Sequence, residues 1–380
     1  MTSTGAGLAP TLADVVDLLH GWYPTDTADP WDAVGLMAGD PSSPVRRVLF
    51  AVDPVLPVAH EAAAWGADLL VTHHPLFLKP VHGVAATTAK GRTLQALTRA
   101  GCALLTAHTN ADQAEQGVSE ALALALGLVD LTPIRPAPAR PLDKLVVYVP
   151  RAHADVVRQA VTEAGAGRLG DYDSATFSSD GEGRFRPLAG ADPAAGEAGA
   201  LSVVDEVRIE TVVPRERRTA VLRAALAAHP YEEPAWDLVE LSDPGTSRTG
   251  TGRVGTVPTT TLREFAVGVA AAVPATAVGL RVGGDPDRAV RRVAVAGGAG
   301  DFLLDELAGS GVDVYVTSDL RHHPAAEFLE KQGPALVDVP HWAAEWTWLP
   351  VVRARLQAAL GDTVETRVSE IVTDPWHTRL

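Results

Sequence analysis

Ala67-Asp-Leu-Leu-Val-Thr-His-His-Pro75 decides how this chain is read. An apolar run bounded by Gly66 and Pro75 has the length and composition of a buried strand, and it ends in two adjacent histidines. A strand of an open α/β sheet delivers such residues to its carboxyl end, the edge at which these sheets place their ligands. His73 and His74 are therefore candidate ligands for Zn, Fe, Mn, Co or Ni, all of which accept imidazole nitrogen.

The flanking sequence supports the strand. Val45 to Val52 reads as a strand, Val55 to Trp65 as a helix and Asp68 to Thr72 as the next strand, which together make a βαβ unit. Thr88 to Ala100 reads as a helix closed by Gly101, and Ala103 to Ala107 as a strand that leads into His108. Upstream, Thr11 and Asp14 form a capping-box pattern ahead of Leu12, Val15, Val16 and Leu19 at helical spacing. Between them, Ala28 to Asp40, with Trp31 and Asp32, reads as a loop with an aromatic anchor that either borders a site or simply packs.

Pro133 to Pro141 has the composition of a linker. Beyond it, Leu145 to Val149, Val203 to Val213 and Trp236 to Leu241 read as strands, Ala154 to Ala164 and Thr219 to Ala228 as helices, and Gly165 to Gly183 as a glycine-rich loop. Two strand-helix-strand passages of this kind describe a small ferredoxin-like α+β insert. The punctuated stretch Asp243 to Gly255 returns the chain to the main domain. Val293 to Ala296 and Val312 to Thr317 then read as strands, with Gly297 to Gly300 as a tight turn or a phosphate-facing loop before a helix from Asp301 to Ala308. Asp313-Val-Tyr-Val-Thr317, followed by His322-His323-Pro324, echoes Asp68-Leu-Leu-Val-Thr72 and His73-His74-Pro75. A helix from Pro324 to Lys331, a strand from Ala335 to Val339, a helix from Ala343 to Leu360 and a strand from Val364 to Val372 complete the chain. The expected fold is α/β, with two related αβ halves forming one core (residues 1–131 and 256–380) interrupted by the insert (142–242).

His108 with Asp112, and His341 with Glu345, lie four residues apart, so each pair faces one way on a helix and can chelate a cation. Either pair alone is a common surface pattern; their recurrence with His73 and His74 at strand ends is what points to a metal. Four histidines and two carboxylates exceed the needs of one ion, and Asp112 and Glu345 are the candidates to bridge two. His322 and His323 are read as ligands, as proton-transfer groups or as a polar helix start, with Thr317, Asp319 and Arg321 as groups that hydrogen-bond ligands or substrate. His229-Pro-Tyr-Glu-Glu-Pro234 reads as a rigid turn rather than a second site.

The bulk properties limit the alternatives. A formal net charge of -15 opposes general nucleic-acid binding. One cysteine, Cys102, excludes an intrachain disulfide and a thiolate-rich zinc site. With no basic-then-apolar leader and no apolar segment of membrane-spanning length, a cytoplasmic protein without membrane contact is expected.

These motifs, in this order, resemble the NIF-three-like family of dinuclear-metal hexameric proteins, often named GTP cyclohydrolase I type 2 homologues. The resemblance is carried by Trp31-Asp32 with Gly35-Leu36, Thr72-His73-His74-Pro75, His108-Thr109-Asn110 with Asp112, Thr317 to His323, His341 with Glu345, and Thr373-Asp374-Pro375. Asp143 to about Leu241 is similar to the PII- and CutA-related domain of the longer bacterial members. The resemblance implies that His73, His74, His108, Asp112, His341 and Glu345 bind two divalent ions, with Zn first among the candidates. It further implies a toroidal homohexamer whose sites face inward and whose inserts help cover the openings. Ala33, Ser318 and Trp342 stand where the family more often carries Asn, Gly and Tyr or Phe. Two functions are expected on this basis: a hydrolase acting on a small nucleotide-like substrate, or a non-enzymatic metal-binding or metal-delivery ring with a ligand-sensing insert.

Overall fold

The computed structural model describes residues 9–170, 172–242 and 246–380. Among them the chain divides into two compact units, one running up to Ala137 together with Arg248–Leu380, the other spanning Pro138–Ser247.

The larger unit contains the same arrangement twice. A helix closed at its start by a capping box opens each half, Leu12–Trp22 behind Thr11 and Asp14, and Leu262–Ala272 behind Thr261 and Glu264. An antiparallel strand follows, Gly35–Ala38 or Arg281–Gly283. Three parallel strands come next: Arg47–Ala51, Leu69–Thr72 and Ala103–Thr106 in the first half, Ala289–Ala299, Val314–Ser318 and Ala335–Asp338 in the second. Every residue of Leu69–Thr72 is buried, as its unbroken apolar run requires.

The repeat extends to single hydrogen bonds. Asp68 Oδ2 accepts from the backbone N–H groups of Arg46 (2.7 Å) and Arg47 (2.9 Å), and Asp313 Oδ2 accepts from those of Arg292 (2.7 Å) and Arg291 (2.9 Å). Both carboxylates tie the start of one parallel strand to the next. The register set by these ties corrects the sequence echo in one respect. His73 and His74 come directly after Thr72, so their counterparts after Thr317 are Ser318 and Asp319, whereas His322 begins the next helix, His322–Glu330.

Each half also gives a strand away. Val129–Thr132, at the end of the first half, pairs with Arg253–Thr261 in the second sheet, while Glu365–Val368, near the end of the chain, pairs in parallel with Arg47–Ala51 in the first. One apolar core runs through both halves, from Leu12, Val48 and Val71 to Val293, Val316 and Trp348.

Several local expectations change in the folded chain. Arg135–Pro138 and Thr246–Thr251, read as linkers, are strands that pair with each other; residues 243–245 of the second stretch lie outside the described residues. Part of the Gly165 to Gly183 loop is the edge strand Thr176–Phe185, where a Cβ on Gly183 would meet the Glu206 carboxylate. The helix expected over Ala343 to Leu360 is two, His341–Trp346 and Trp348–Leu360, because Pro350 lacks the N–H that would continue the first into the second. Gly297 to Ala299 are the end of a strand, and the chain then forms a short 3₁₀ turn, Asp301–Leu303, and a four-residue helix.

The smaller unit runs strand, helix, strand, strand, helix, strand. Its antiparallel sheet has the order Trp236–Glu240, Leu142–Pro150, Ser202–Pro214, Thr176–Phe185, which is ferredoxin-like topology. Leu145, Val147, Ile209, Val157 and Val221 form its core beneath the two helices. His229 closes a turn here: Nε2 bonds the Tyr148 carbonyl at 2.8 Å and Nδ1 accepts from the Tyr231 N–H at 3.0 Å.

If Asp68 and Asp313 are equivalent strand ties, Asp68→Ala and Asp313→Ala should lower the unfolding free energy by similar amounts, about 1–3 kcal/mol each for two lost charge-assisted bonds. Urea titration followed by circular dichroism measures this; a loss confined to one variant contradicts the equivalence.

Candidate metal centre

Three strand ends converge in the larger unit. His73 and His74 leave Leu69–Thr72 with their N–H groups donating to the carbonyls of Ala51 and Val52. His108 follows Ala103–Thr106 as the N-cap of the short helix Thr109–Gln113, and its own N–H donates to Asn110 Oδ1 at 2.9 Å. Asp112 lies one turn on. From the second half, Pro340 turns the chain out of Ala335–Asp338 into His341–Trp346, which places His341 and Glu345 on one face.

Every imidazole in the group is held at Nδ1 by an oxygen. The partners are the Ala107 carbonyl for His73 (3.0 Å), Asp53 for His74 (2.7 Å), Asp32 for His108 (2.8 Å) and Asp319 for His341 (2.7 Å). An acceptor at Nδ1 places a proton there and leaves Nε2 to bind elsewhere, the usual way in which proteins orient a metal-ligating histidine. The free nitrogens do face inward. His341 Nε2 lies 2.7 Å and His73 Nε2 3.3 Å from Glu345 Oε1, His74 Nε2 lies 3.2 Å from Glu345 Oε2, and His73 Nε2 lies 3.7 Å from Asp112 Oδ1.

Three atoms of this group, His73 Nε2, Asp112 Oδ1 and Glu345 Oε2, are buried without a hydrogen-bond partner. A buried polar atom left unpaired costs about 1–3 kcal/mol, so three directed at one space are an expensive arrangement unless a ligand joins them. The ligating atoms of His73, His74 and His108 lie within 4.8 Å of one another, as do those of His74, His341 and Glu345. Each trio has the nitrogen and oxygen donors that divalent transition metals accept, so the residues present fit a metal ion.

The electrostatics agree. Burial opposes charge on His74 and His341, yet the Glu345 carboxylate and the acids at Nδ1 outweigh it and push the two imidazoles up to about 10 and about 11. Burial alone would also raise Glu345, but the facing imidazoles of His74, His341 and His73 hold it well below the usual carboxylate range. Asp112 rises to about 7 through burial and repulsion from Glu345.

The surroundings are closely fitted. The Trp348 ring packs edge-on against His73 and Trp31 against His108, with centroids 5.8 Å apart in both pairs. Gly298, at φ +71°, passes so near that a Cβ there would lie 2.8 Å from Glu345 Oε1. A cavity of about 570 Å³ opens beside His108, Asp112 and Glu345 between Trp31 and Phe302, and one of about 680 Å³ beside His74 and His341. His322 and His323 line neither, and both are exposed at the start of their helix, so a proton-transfer role for them draws no support from this geometry. Of the residues grouped with them, Asp319 holds His341, Thr317 bonds the Gly298 carbonyl and Arg321 pairs with Asp301. Asp53 and Gly298 carry no motif of their own. Asp53 could have been found from its place two residues past a parallel strand, where the histidines also lie.

The model of the Duf34/NIF3 (NGG1p interacting factor 3) family matches residues 10–375. A Mycobacterium tuberculosis protein named GTP cyclohydrolase 1 type 2 homolog is 48% identical over 368 residues, 96% of each chain. A Bacillus subtilis protein of the same name is 37% identical, with 95% of this chain and 97% of that one covered. Among solved structures, a Bacillus cereus protein related to NIF3 superposes with a TM-score of 0.82 at 36% identity, covering 97% of this chain and 98% of that one. Motif order, doubled fold and end-to-end similarity agree, and the chain belongs to the Duf34/NIF3 family.

Proposed function

We propose that this protein is a dinuclear metal protein whose centre hydrolyses a small, nucleotide-like substrate. The carrying observation is that the Nε2 atoms of His73, His74 and His341 face the buried Glu345 and the half-buried Asp112, with His108 grouped beside His73 and His74 and every Nδ1 already engaged. In this reading His73, His74, His108, Asp112, His341 and Glu345 hold two divalent ions, Zn or else Fe, Mn, Co or Ni. Such ions supply Lewis acidity and acidify water to the neutral range, the chemistry of metal-assisted hydrolysis. The chain's own part is to position and to shield. Glu345, with one oxygen toward His341 and His73 and the other toward His74, spans both trios. The cavity between Trp31 and Phe302 is the place for the substrate, since Asp112 and Glu345 both line that space. A cytoplasmic homohexamer of 39.8 kDa chains completes the proposal.

A second reading, a metal-delivery or regulatory ring, is favoured by one observation: the insert is a compact unit with its own core, which hydrolysis at the centre does not require. Turnover separates the two. Metal-loaded protein assayed against nucleotides, phosphoesters and cyclic amides should hydrolyse one of these classes, and inactivity against all of them would leave the second reading standing.

Metal analysis of natively purified protein should find two ions per chain, with His73→Ala and Glu345→Ala each lowering that content; unchanged stoichiometry in both contradicts the assignment. Ion binding should also depend on pH. The ion-free imidazoles of His74 and His341 hold protons up to about 10 and about 11, and Asp112 up to about 7, so each ion must displace protons as it enters. Affinity therefore rises with pH and should be at least about tenfold weaker at pH 6 than at pH 8. Competition against a chelator measures this, and pH-independent binding would count against these ligands.

A further inference from the structure

The imidazoles of the centre differ in what fixes them. His73 is wholly buried, bonded to a backbone carbonyl and packed on Trp348. His108 is held by Asp32, which is itself fixed next door by the N–H (3.0 Å) and hydroxyl (2.6 Å) of Thr109. His74 is less enclosed, and its Asp53 support sits beyond the end of Arg47–Ala51 in a stretch without regular structure. What fixes Asp53 comes from the far end of the chain: Thr373 Oγ1 donates to Asp53 Oδ2 while Asp53 Oδ1 accepts from His74 Nδ1.

The segment that brings Thr373 there is tied down along its length without being helix or strand. After Glu365–Val368, the Ser369 N–H donates to the Phe50 carbonyl at 2.8 Å, the Ser369 hydroxyl to Glu61 at 2.5 Å, and Trp346 Nε1 to the Ser369 carbonyl at 3.1 Å. Ile371 packs on the apolar cluster of Leu49 and Leu70. Asp374, buried, accepts from the Trp376 N–H at 2.8 Å. Thr373 to Trp376 also form one wall of the cavity beside His74 and His341.

We propose that Ser369 to Trp376 is a positioning strap for the centre and that Thr373 is its positioning residue, acting through Asp53 to aim Nε2 of His74 at the ion shared with His341 and Glu345. The proposal rests on the metal-centre reading. It accounts for a threonine hydroxyl on a half-buried carboxylate 320 residues away in sequence, and it makes the ion trio of His74, His341 and Glu345 depend on a segment that supplies no ligand.

Cobalt(II) titration of the full-length ion-free protein, followed by visible absorption and by chelator competition, tests it with wild type, Thr373→Val, Thr373→Ala and Thr373→Ser. Thr373→Val should bind one ion as wild type does and the other about 10- to 100-fold more weakly, the range for loss of a group that orients a ligand, with an altered cobalt spectrum. Thr373→Ala must behave likewise, which keeps the test valid if the valine variant fails to fold. Thr373→Ser should restore both affinity and spectrum, an outcome that general loosening of the tail would not give. The proposal is overturned if the hydroxyl-free variants titrate as wild type, or if serine fails to rescue them. If wild type itself takes up no cobalt, the metal-centre reading falls and the strap falls with it.

Discussion

Bringing four imidazoles and two carboxylates into one largely enclosed space, with His73 and Glu345 wholly withdrawn from water, is the constraint around which the rest of this structure is arranged. Each charge taken from solvent costs several kcal/mol unless an opposite charge and directed hydrogen bonds replace the lost hydration. Here the compensation is local and complete on one side: oxygen acceptors occupy each Nδ1, while on the inward side His73 Nε2, Asp112 Oδ1 and Glu345 Oε2 stay without a hydrogen-bond partner. A cluster so built is poor as a purely structural element, because apolar side chains would fill the same space at lower cost. It is well suited to a cation, whose charge the two acids balance and whose coordination the nitrogens complete.

The doubled fold explains why the cluster forms where it does. Two halves of the same design share one core and exchange their terminal strands, so the carboxyl ends of their parallel strands are brought to a common space. The halves contribute unequally. After the second parallel strand of the first half come His73 and His74; at the matching place in the second half come Ser318 and Asp319, and Asp319 supports His341. After the third parallel strand both halves supply a histidine and an acid four residues apart. Repetition built the frame, and departure from repetition divided its residues between candidate ligands and their supports.

Much of this was legible in the chain itself. The unbroken apolar run of Leu69 to Val71, the caps at Thr11 and Gly101, and the four-residue spacing of His108 with Asp112 and of His341 with Glu345 are local signals, set by propensity and periodicity. Less legible were elements whose partners are remote. Gly35–Ala38 and Arg281–Gly283 are three or four residues long and exist because a neighbouring strand offers its edge. Thr176–Phe185 carries two glycines and polar residues that suit a loop, yet pairs along the whole of its length with Ser202–Thr211. The pairing of His73-His74 with His322-His323 was misleading for a related reason: matched letters do not fix register, whereas the bonds made by Asp68 and Asp313 do.

By itself, then, the sequence determined which residue types stand at the ends of buried strands and at one-turn spacing, because burial pattern, capping and helical period are encoded within a few residues. Only the tertiary structure decided that Asp32, Asp53 and Asp319 each hold an imidazole, that Gly298 must lack a side chain, and that Thr373 reaches Asp53. Those roles come from atoms brought within 3 Å across tens to hundreds of residues, and such separations leave no periodic mark along the chain.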